Sequence, residues 1–332
     1  MSSGVNKLDL QWSYCAANSL RQLKHAFLIT AYRDPQSLQT LITQLLAIEN
    51  ALVLCHIDRR SKGMIAIMQA WVDEQQISNS HLNRLHLQFD QAIFWASSNH
   101  FQIQIEMAKQ ALLLGADYYH TLTGQCRLLC SPAEFLHFFD ANAGLNFIEH
   151  FELPAPHWSF NGGLDRIRFF ELYDLIDIKK WGPLFDISNR FLIGLQGLLK
   201  INRLPSYGLG SHSFWGGLGY WSLCQEAVNT LVQHRWIKKR HYRLSSCAEE
   251  FVPHSILLNS PYGQKHRERF ISNHLRFISW DVSNGESPGI LDMSHFDAIA
   301  AGQKNEYPYL FARKFDSRFS LALAKQFSPM SS

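Results

Sequence analysis

Apolar residues first concentrate in a short run, His25–Ala31, that stops at a polar turn. A run of this length before a turn predicts a buried strand. Asp34 can cap a helix that begins at Pro35, and apolar residues then follow at helical spacing as far as Ile48. A second apolar run, 51–57, predicts another strand. Strand, helix and strand in this order predict a right-handed crossover and a parallel pair.

The same alternation continues more loosely along the first half of the chain. We predict strands at 91–95 and 118–122 and helices at 101–114 and 132–139. The expected fold class is therefore α/β, with a mostly parallel sheet flanked by helices. Further on, residues 200–222 are rich in glycine, tryptophan and tyrosine, an irregular composition that suits the wall of a pocket.

The composition excludes several classes of protein. With 46% hydrophobic residues, 18% charged residues and a net charge of +3, nothing indicates a nucleic-acid partner. Six irregularly spaced cysteines predict neither a disulfide framework nor a paired zinc ribbon. No apolar run approaches the roughly eighteen residues of a membrane span, and no secretory signal layout is present. We therefore expect a soluble, cytoplasmic protein. Because the candidate residues lie near both ends, we expect a single domain, 1–332.

A hexapeptide near the end, Phe-Ala-Arg-Lys-Phe-Asp at 311–316, places Arg313 and Lys314 among apolar residues. Two buried cations need an anionic partner. A guanidinium fork beside an ammonium group suits a diphosphate. The alternative is a solvated basic turn.

Two further sets of polar residues stand where functional groups are often found. Asp58 and Arg60 follow the second predicted strand, and ligands of open α/β sheets bind at the carboxyl ends of strands. We predict nucleotide contacts there, with a solvated turn as the alternative. Glu249 and Glu250 precede an apolar helical run. They can provide a general base, or they can be acids at a helix N-terminus that serve only the helix dipole.

Two tryptophans are candidates for sugar binding. Trp221 follows a glycine-rich segment, and Trp280 follows a short apolar run. The flat face of an indole suits the apolar face of a sugar ring, although a tight turn also explains such a segment. The sequence has no Asp-x-Asp pair, Walker loop, dinucleotide glycine fingerprint or HExxH helix. Any bound diphosphate would therefore be neutralised by Arg313 and Lys314 instead of a metal ion.

The ordered set of segments resembles the family of core-2 and I-branching β-1,6-N-acetylglucosaminyltransferases and peptide O-xylosyltransferases, in a form typical of bacteria. The resemblance runs from about residue 25 to residue 316. The segments that carry it include HIDRRS at 56–61, TLTGQC at 121–126, NFIE at 146–149, GLGYWSL at 217–223, EEFVPHSILLNS at 249–260 and FARKFD at 311–316. At Cys126 the family usually carries Asp, so the identity of the acceptor does not transfer.

The resemblance implies a GT-A-type glycosyltransferase fold that uses a UDP-sugar donor, inverts the anomeric carbon and requires no metal or other cofactor. It assigns 20–150 to a nucleotide-binding half and 151–332 to an acceptor-binding and catalytic half. The donor sugar it favours is N-acetylglucosamine, with xylose or another sugar as the alternative. The implied acceptor is a glycan or lipid-linked glycan of a bacterial surface polysaccharide or lipopolysaccharide. The residue roles it implies are catalytic base for Glu250, diphosphate binding for Arg313 and Lys314, nucleotide contacts for Asp58 and Arg60, and sugar contacts for Glu149 and Trp280.

A different class of function is a non-catalytic module that binds a glycan or a membrane surface. The basic and aromatic cluster at 235–243 supports it, because such a patch can hold anionic lipid headgroups. The alternative for this cluster is a solvated helix end. Both functions are compatible with peripheral contact at the inner face of the cell membrane. We favour catalysis, since Glu250, Arg313 and Lys314 are all present together.

Overall fold

We describe the fold from a computed structural model of the chain. It describes residues 22–76, 80–208, 213–281 and 287–327. Residues 209–212, which belong to the predicted pocket segment 200–222, lie outside this range.

A seven-stranded sheet forms the centre, in the order β10-β6-β9-β4-β1-β2-β3. Its neighbouring strands are parallel except at β9, which runs antiparallel to both β4 and β6. Two smaller sheets have the orders β11-β12-β5 and β7-β8. The α/β fold with a mostly parallel sheet is thus confirmed. The strands are β1 His25–Ala31, β2 Leu52–Ile57, β3 Leu85–Gln88, β4 Tyr118–Thr123, β5 Arg127–Leu128, β6 Asn146–Ile148, β7 Phe151–Leu153, β8 Phe214–Gly216, β9 Trp221–Cys224, β10 Phe270–Ile271, β11 Arg276–Ile278 and β12 Phe311–Arg313.

Helices flank the central sheet. None of those in the described ranges is both long and apolar enough to cross a membrane. The helices are α1 Pro35–Leu46, α2 Lys62–Gln76, α3 Ser98–Leu113, α4 Pro132–Ala141, α5 Ser159–Gly162, α6 Asp165–Arg168, α7 Ile178–Leu198, α8 Gln225–Gln233, α9 Val252–Asn259, α10 Pro261–Lys265, α11 Phe296–Gly302 and α12 Leu321–Gln326.

The first strand–helix–strand unit forms as the pattern predicts. The carboxylate of Asp34 accepts a hydrogen bond from the backbone N–H of Ser37 at 3.0 Å, and Pro35 occupies the first turn of α1. This arrangement satisfies one of the N–H groups that a helix start leaves without a partner. The apolar face of α1 is buried, and β1 and β2 pair in parallel, with Phe27 beside Val53. The unit therefore fixes where the first two strands end.

The strand predicted at 91–95 is wrong. The third parallel strand is instead β3, Leu85–Gln88, which lies before the predicted segment and pairs with β2. The backbone of Ile93 instead meets side chains: its N–H donates to Asp58 Oδ2 at 3.3 Å, and its carbonyl accepts from Arg60 Nη2 at 2.7 Å. The backbone N–H and carbonyl of Ile93, which a strand would use to pair with its neighbour, are therefore hydrogen-bonded to side chains.

The cluster at 235–243 is divided between core and surface. Trp236 and Tyr242 are buried at 3% and 1% exposure, and the indole N–H of Trp236 donates to the carbonyl of Tyr207. Lys238, Arg240 and Arg243 are exposed. The cluster thus presents positive charge without an exposed aromatic surface.

Candidate active site

A cavity of about 710 Å³ lies at the carboxyl ends of β1, β2 and β4. Parallel α/β sheets commonly bind ligands at this edge, where the strands end and the loops diverge. Six of the eight predicted site residues line it: Asp58, Arg60, Glu250, Trp280, Arg313 and Lys314. Residues far apart in the sequence are therefore brought to one place.

The other two predicted residues do not line the cavity. Trp221 has 0% exposure in the core, because it starts β9 between β4 and β6. The predicted sugar contact for Trp221 is therefore wrong, and its neighbour Tyr220 lines the cavity instead. Glu149 accepts a hydrogen bond from the backbone N–H of Leu218 at 3.1 Å. Since Leu218 lines the cavity, Glu149 supports the wall from behind.

Arg313 and Lys314 form the positive side of the cavity. Arg313 ends β12, and its guanidinium lies 4.9 Å from the centre of the Tyr220 ring. Burial lowers the pKa of Arg313, and its Nε has no hydrogen-bond partner among the described residues. Lys314 is 6% exposed. A desolvated guanidinium with an unused donor is stabilised by an anion, and a diphosphate offers the matching oxygens.

Asp58 and Arg60 form a rigid corner at the end of β2. Asp58 is 2% exposed, and its Oδ2 lies 2.7 Å from Arg60 Nη2. Burial alone would raise the pKa of Asp58, but the hydrogen bonds and charge of Arg60 hold it below its ordinary value. The other end of the guanidinium, Nη1, lies 2.5 Å from Asp177 Oδ2. This corner therefore joins the sheet edge to the start of α7, and its predicted nucleotide contacts stay a prediction.

The paired carboxylates lie in a single helical turn, Ala248–Glu250, directly before α9. Glu250 Oε2 accepts from Arg166 Nη1 at 2.5 Å, and a quarter of the Glu250 side chain is exposed to the cavity. Burial raises the pKa of Glu250 to about 7, the charge of Arg166 opposes this rise, and the charge of Glu249 adds to it. A carboxylate with such a pKa can accept a proton near neutral pH.

Glu249 has a different environment. Its Oε1 lies 3.0 Å from His100 Nδ1, and His100 Nε2 lies 3.1 Å from the hydroxyl of Thr30. Both carboxylates line the cavity, but the Glu249 side chain is 10% exposed and that of Glu250 is 25% exposed, so Glu249 is the less accessible to a substrate. The chain of contacts from Glu249 to Thr30 ties the carboxylate turn to the end of β1.

Sequence reasoning missed several residues of this site. Arg166, His100 and Lys179 carried no recognisable motif, and they reach the cavity or its carboxylates only through the fold. Arg166 also packs over the ring of Trp158 at 4.5 Å. Its contact with Glu250 spans 84 positions, so no local spacing could have indicated it.

Exposed aromatic side chains border the cavity. Trp280, Trp95 and Tyr32 are 57%, 52% and 43% exposed, and all three line it. Such rings offer flat apolar faces of the kind on which sugars stack. Among the described residues no group of three or more His, Cys, Asp or Glu side chains could hold a metal ion.

No family model and no characterised protein sequence matches this chain. Among solved structures, apo mouse xyloside xylosyltransferase 1 is similar at 11% identity over 90% of this chain and 99% of that one, with a TM-score of 0.38. A 4-diphosphocytidyl-2C-methyl-D-erythritol synthase from Anaerococcus prevotii has 13% identity over 40% of this chain, with a TM-score of 0.27, and only 56% of its length is covered. A UDP-glucose pyrophosphorylase mutant from Leishmania major, in complex with UDP-glucose, has 8% identity over 40% of this chain and 37% of that one, with a TM-score of 0.22. Similarities at this level do not assign the chain to a family.

Proposed function

We propose that this protein is a metal-independent, inverting glycosyltransferase of the GT-A type. It transfers a sugar from a UDP-sugar donor to a hydroxyl group of a glycan or lipid-linked glycan. One observation carries the proposal: Glu250, with its pKa raised to about 7, lines the same cavity as Arg313 and Lys314. A general base and a diphosphate-binding pair are the two elements that direct displacement of UDP needs.

Each group has a defined part in the proposed reaction. Glu250 accepts the proton of the acceptor hydroxyl while the oxygen attacks the anomeric carbon from the side opposite the diphosphate. The new glycosidic bond forms as the bond to UDP breaks, which inverts the configuration. Arg313 and Lys314 stabilise the negative charge that develops on the leaving diphosphate. Arg166 holds the Glu250 carboxylate in place through the 2.5 Å contact.

The dimensions and aromatic border of the cavity support a sugar nucleotide as ligand. A volume of about 710 Å³ lies within the range of roughly 300–1,000 Å³ typical of small-molecule sites. The proposed donor is UDP-N-acetylglucosamine, with UDP-xylose or another UDP-sugar as the alternative. Trp280 is the proposed sugar-stacking residue, because its ring is more than half exposed at the cavity.

A panel of UDP-sugars tests this function. The purified chain is incubated with each donor, and both its thermal unfolding and the slow release of UDP are measured. We expect one donor to raise the unfolding temperature and to be hydrolysed, while the matching CDP-sugar does neither. If no UDP-sugar stabilises the protein or releases UDP, the proposed function is wrong.

A further inference from the structure

Two polar residues of helix α7, Asn189 and Gln196, face the protein. Asn189 is 6% exposed; its Oδ1 accepts from the backbone N–H of Leu172 at 2.9 Å, and its Nδ2 donates to Glu171 at 3.1 Å. Gln196 is 3% exposed, and its Oε1 accepts from the N–H of Phe170 at 2.8 Å. The inward side of α7 is therefore held by hydrogen bonds and by the buried ring of Phe185, which packs against Tyr173 with ring centres 4.6 Å apart.

The opposite side of α7 is apolar and faces outward. Five side chains recur at intervals of three and four residues, the spacing that places them along one side of a helix. A helix on the surface of a water-soluble protein normally has the reverse arrangement. The exposures are 54% for Leu184, 71% for Ile187, 72% for Phe191, 40% for Leu195 and 79% for Leu198. We call these five residues the α7 stripe.

Positive charge accompanies the α7 stripe. Residues 178–200 contain four basic side chains, of which Lys179 lines the cavity, and a single acidic one, Asp186. Just beyond the helix, Arg203 donates to the carbonyls of His241 and Arg243, each at 3.0 Å. These bonds bring the exposed basic residues of the 235–243 cluster to the end of α7. An apolar stripe flanked by cations is the pattern of helices that lie in the surface of an anionic membrane.

We propose that α7 lies in the plane of an anionic lipid bilayer, with the α7 stripe inserted at the level of the headgroups and acyl chains. A second copy of the chain is a poorer occupant, because a symmetric contact through α7 would bring like charges together. Binding depends on both the charge of the basic residues and the apolar area of the α7 stripe.

The start of α7 lies at the edge of the cavity. Its N-cap residue Asp177 is bound to Arg60, and Lys179 lines the cavity itself. A non-helical residue, Trp181, kinks α7 between Lys179 and the α7 stripe, which begins at Leu184. A bilayer against the stripe would therefore lie within a few residues of the cavity edge. Resting on the proposed function, we further infer that the acceptor glycan is attached to a lipid that this bilayer contains.

Vesicle flotation tests the bilayer contact without any turnover. The full chain is mixed with vesicles of phosphatidylcholine alone or with phosphatidylglycerol added, at low and high salt. The double variant Ile187→Ser/Phe191→Ser removes the centre of the α7 stripe. A matched control is Leu113→Ser, since Leu113 is 89% exposed at the end of α3 and lies outside the stripe. Thermal unfolding confirms that each variant is folded.

We expect the chain and the Leu113→Ser control to float with the anionic vesicles and less so at high salt. The double variant should bind the anionic vesicles at least about tenfold more weakly than the unmodified chain. Equal binding by the double variant overturns the proposal, as does indifference to anionic lipid. Light scattering tests whether a second copy of the chain occupies the α7 stripe instead. If the unmodified chain forms a dimer that the double variant abolishes, and does not bind vesicles, the bilayer proposal is overturned. If the chain floats but no UDP-sugar binds, the bilayer contact stands and only the inference about the acceptor is lost.

Discussion

Arg166 donates to Glu250 across the cavity wall, with Nη1 and Oε2 2.5 Å apart. The pair sets one carboxylate apart from its neighbour Glu249, which binds His100 instead. Two adjacent acids thus have separate partners, separate exposures and, we propose, separate roles.

Replacing Glu250 with Gln should lower turnover by roughly 10²- to 10⁴-fold, because the amide keeps the shape but cannot accept the proton. UDP affinity should barely change, since the proposed phosphate contacts are Arg313 and Lys314. Glu249→Gln should reduce turnover much less. Steady-state kinetics and UDP titration of both variants provide the measurement. The assignment of the base is wrong if Glu249→Gln is the more damaging change.

The pH profile of turnover should show the ionisation of Glu250. Only the ionised carboxylate can act as base, so activity should fall as the pH drops through about 7, the value to which burial raises its pKa. Arg166 lowers this pKa, so Arg166→Gln should move the acidic limb to higher pH. Arg168→Gln, in the same short helix α6, is the control and should leave the limb in place. If the acidic limb of the Arg166→Gln variant stays at the same pH, Arg166 does not affect the pKa of the base.

Lys314→Ala should weaken UDP binding by roughly ten- to a hundredfold, the usual value of a charged hydrogen bond. Uridine binding should change little, because uridine has no diphosphate. Calorimetric titration with both ligands measures the difference, and Lys109→Ala on the exposed side of α3 serves as control. Equal losses for UDP and uridine would give Lys314 a structural role.

Chelation should leave activity and UDP binding intact, because the sequence lacks an Asp-x-Asp pair and the proposed diphosphate contacts, Arg313 and Lys314, are themselves cations. The measurement is UDP release in excess EDTA, with and without added manganese. Complete loss in EDTA that manganese restores would contradict the assignment of Arg313 and Lys314 to the diphosphate.

Gly217→Ala should destabilise the fold by about 1–3 kcal/mol, the usual cost of overpacking. A Cβ atom at this position would overlap the carbonyl oxygen of Glu149, which is backbone and cannot rotate away. The control is Gly194→Ala in the middle of α7, where nothing lies within 4 Å. It should raise stability by about 0.5–1 kcal/mol through the helix preference of alanine. Denaturant unfolding compares the two, and equal effects would show that the contact is absent.

The parts of the fold that local patterns predict are those where local and tertiary preferences agree. β1 begins and ends where its apolar run does, and the Asp34-Pro35 signal marks the start of α1. The run at 91–95 failed as a strand, because apolar composition alone cannot show that Asp58 and Arg60 will bind its backbone. Arg166 could not be predicted at all, since only the folded chain brings it to Glu250.

The antiparallel direction of β9 determines which of the two segments next to that strand can change the specificity for the ligand. A parallel strand offers the cavity the residues that follow it, whereas an antiparallel one offers those that precede it. Leu218, Gly219 and Tyr220 therefore line the cavity, while the residues after Cys224 leave from the far edge, beside the start of β4. Substitutions in the three residues before Trp221 thus act on the ligand directly, whereas substitutions after Cys224 act on α8, whose Ala227, Val228 and Leu231 pack in the core.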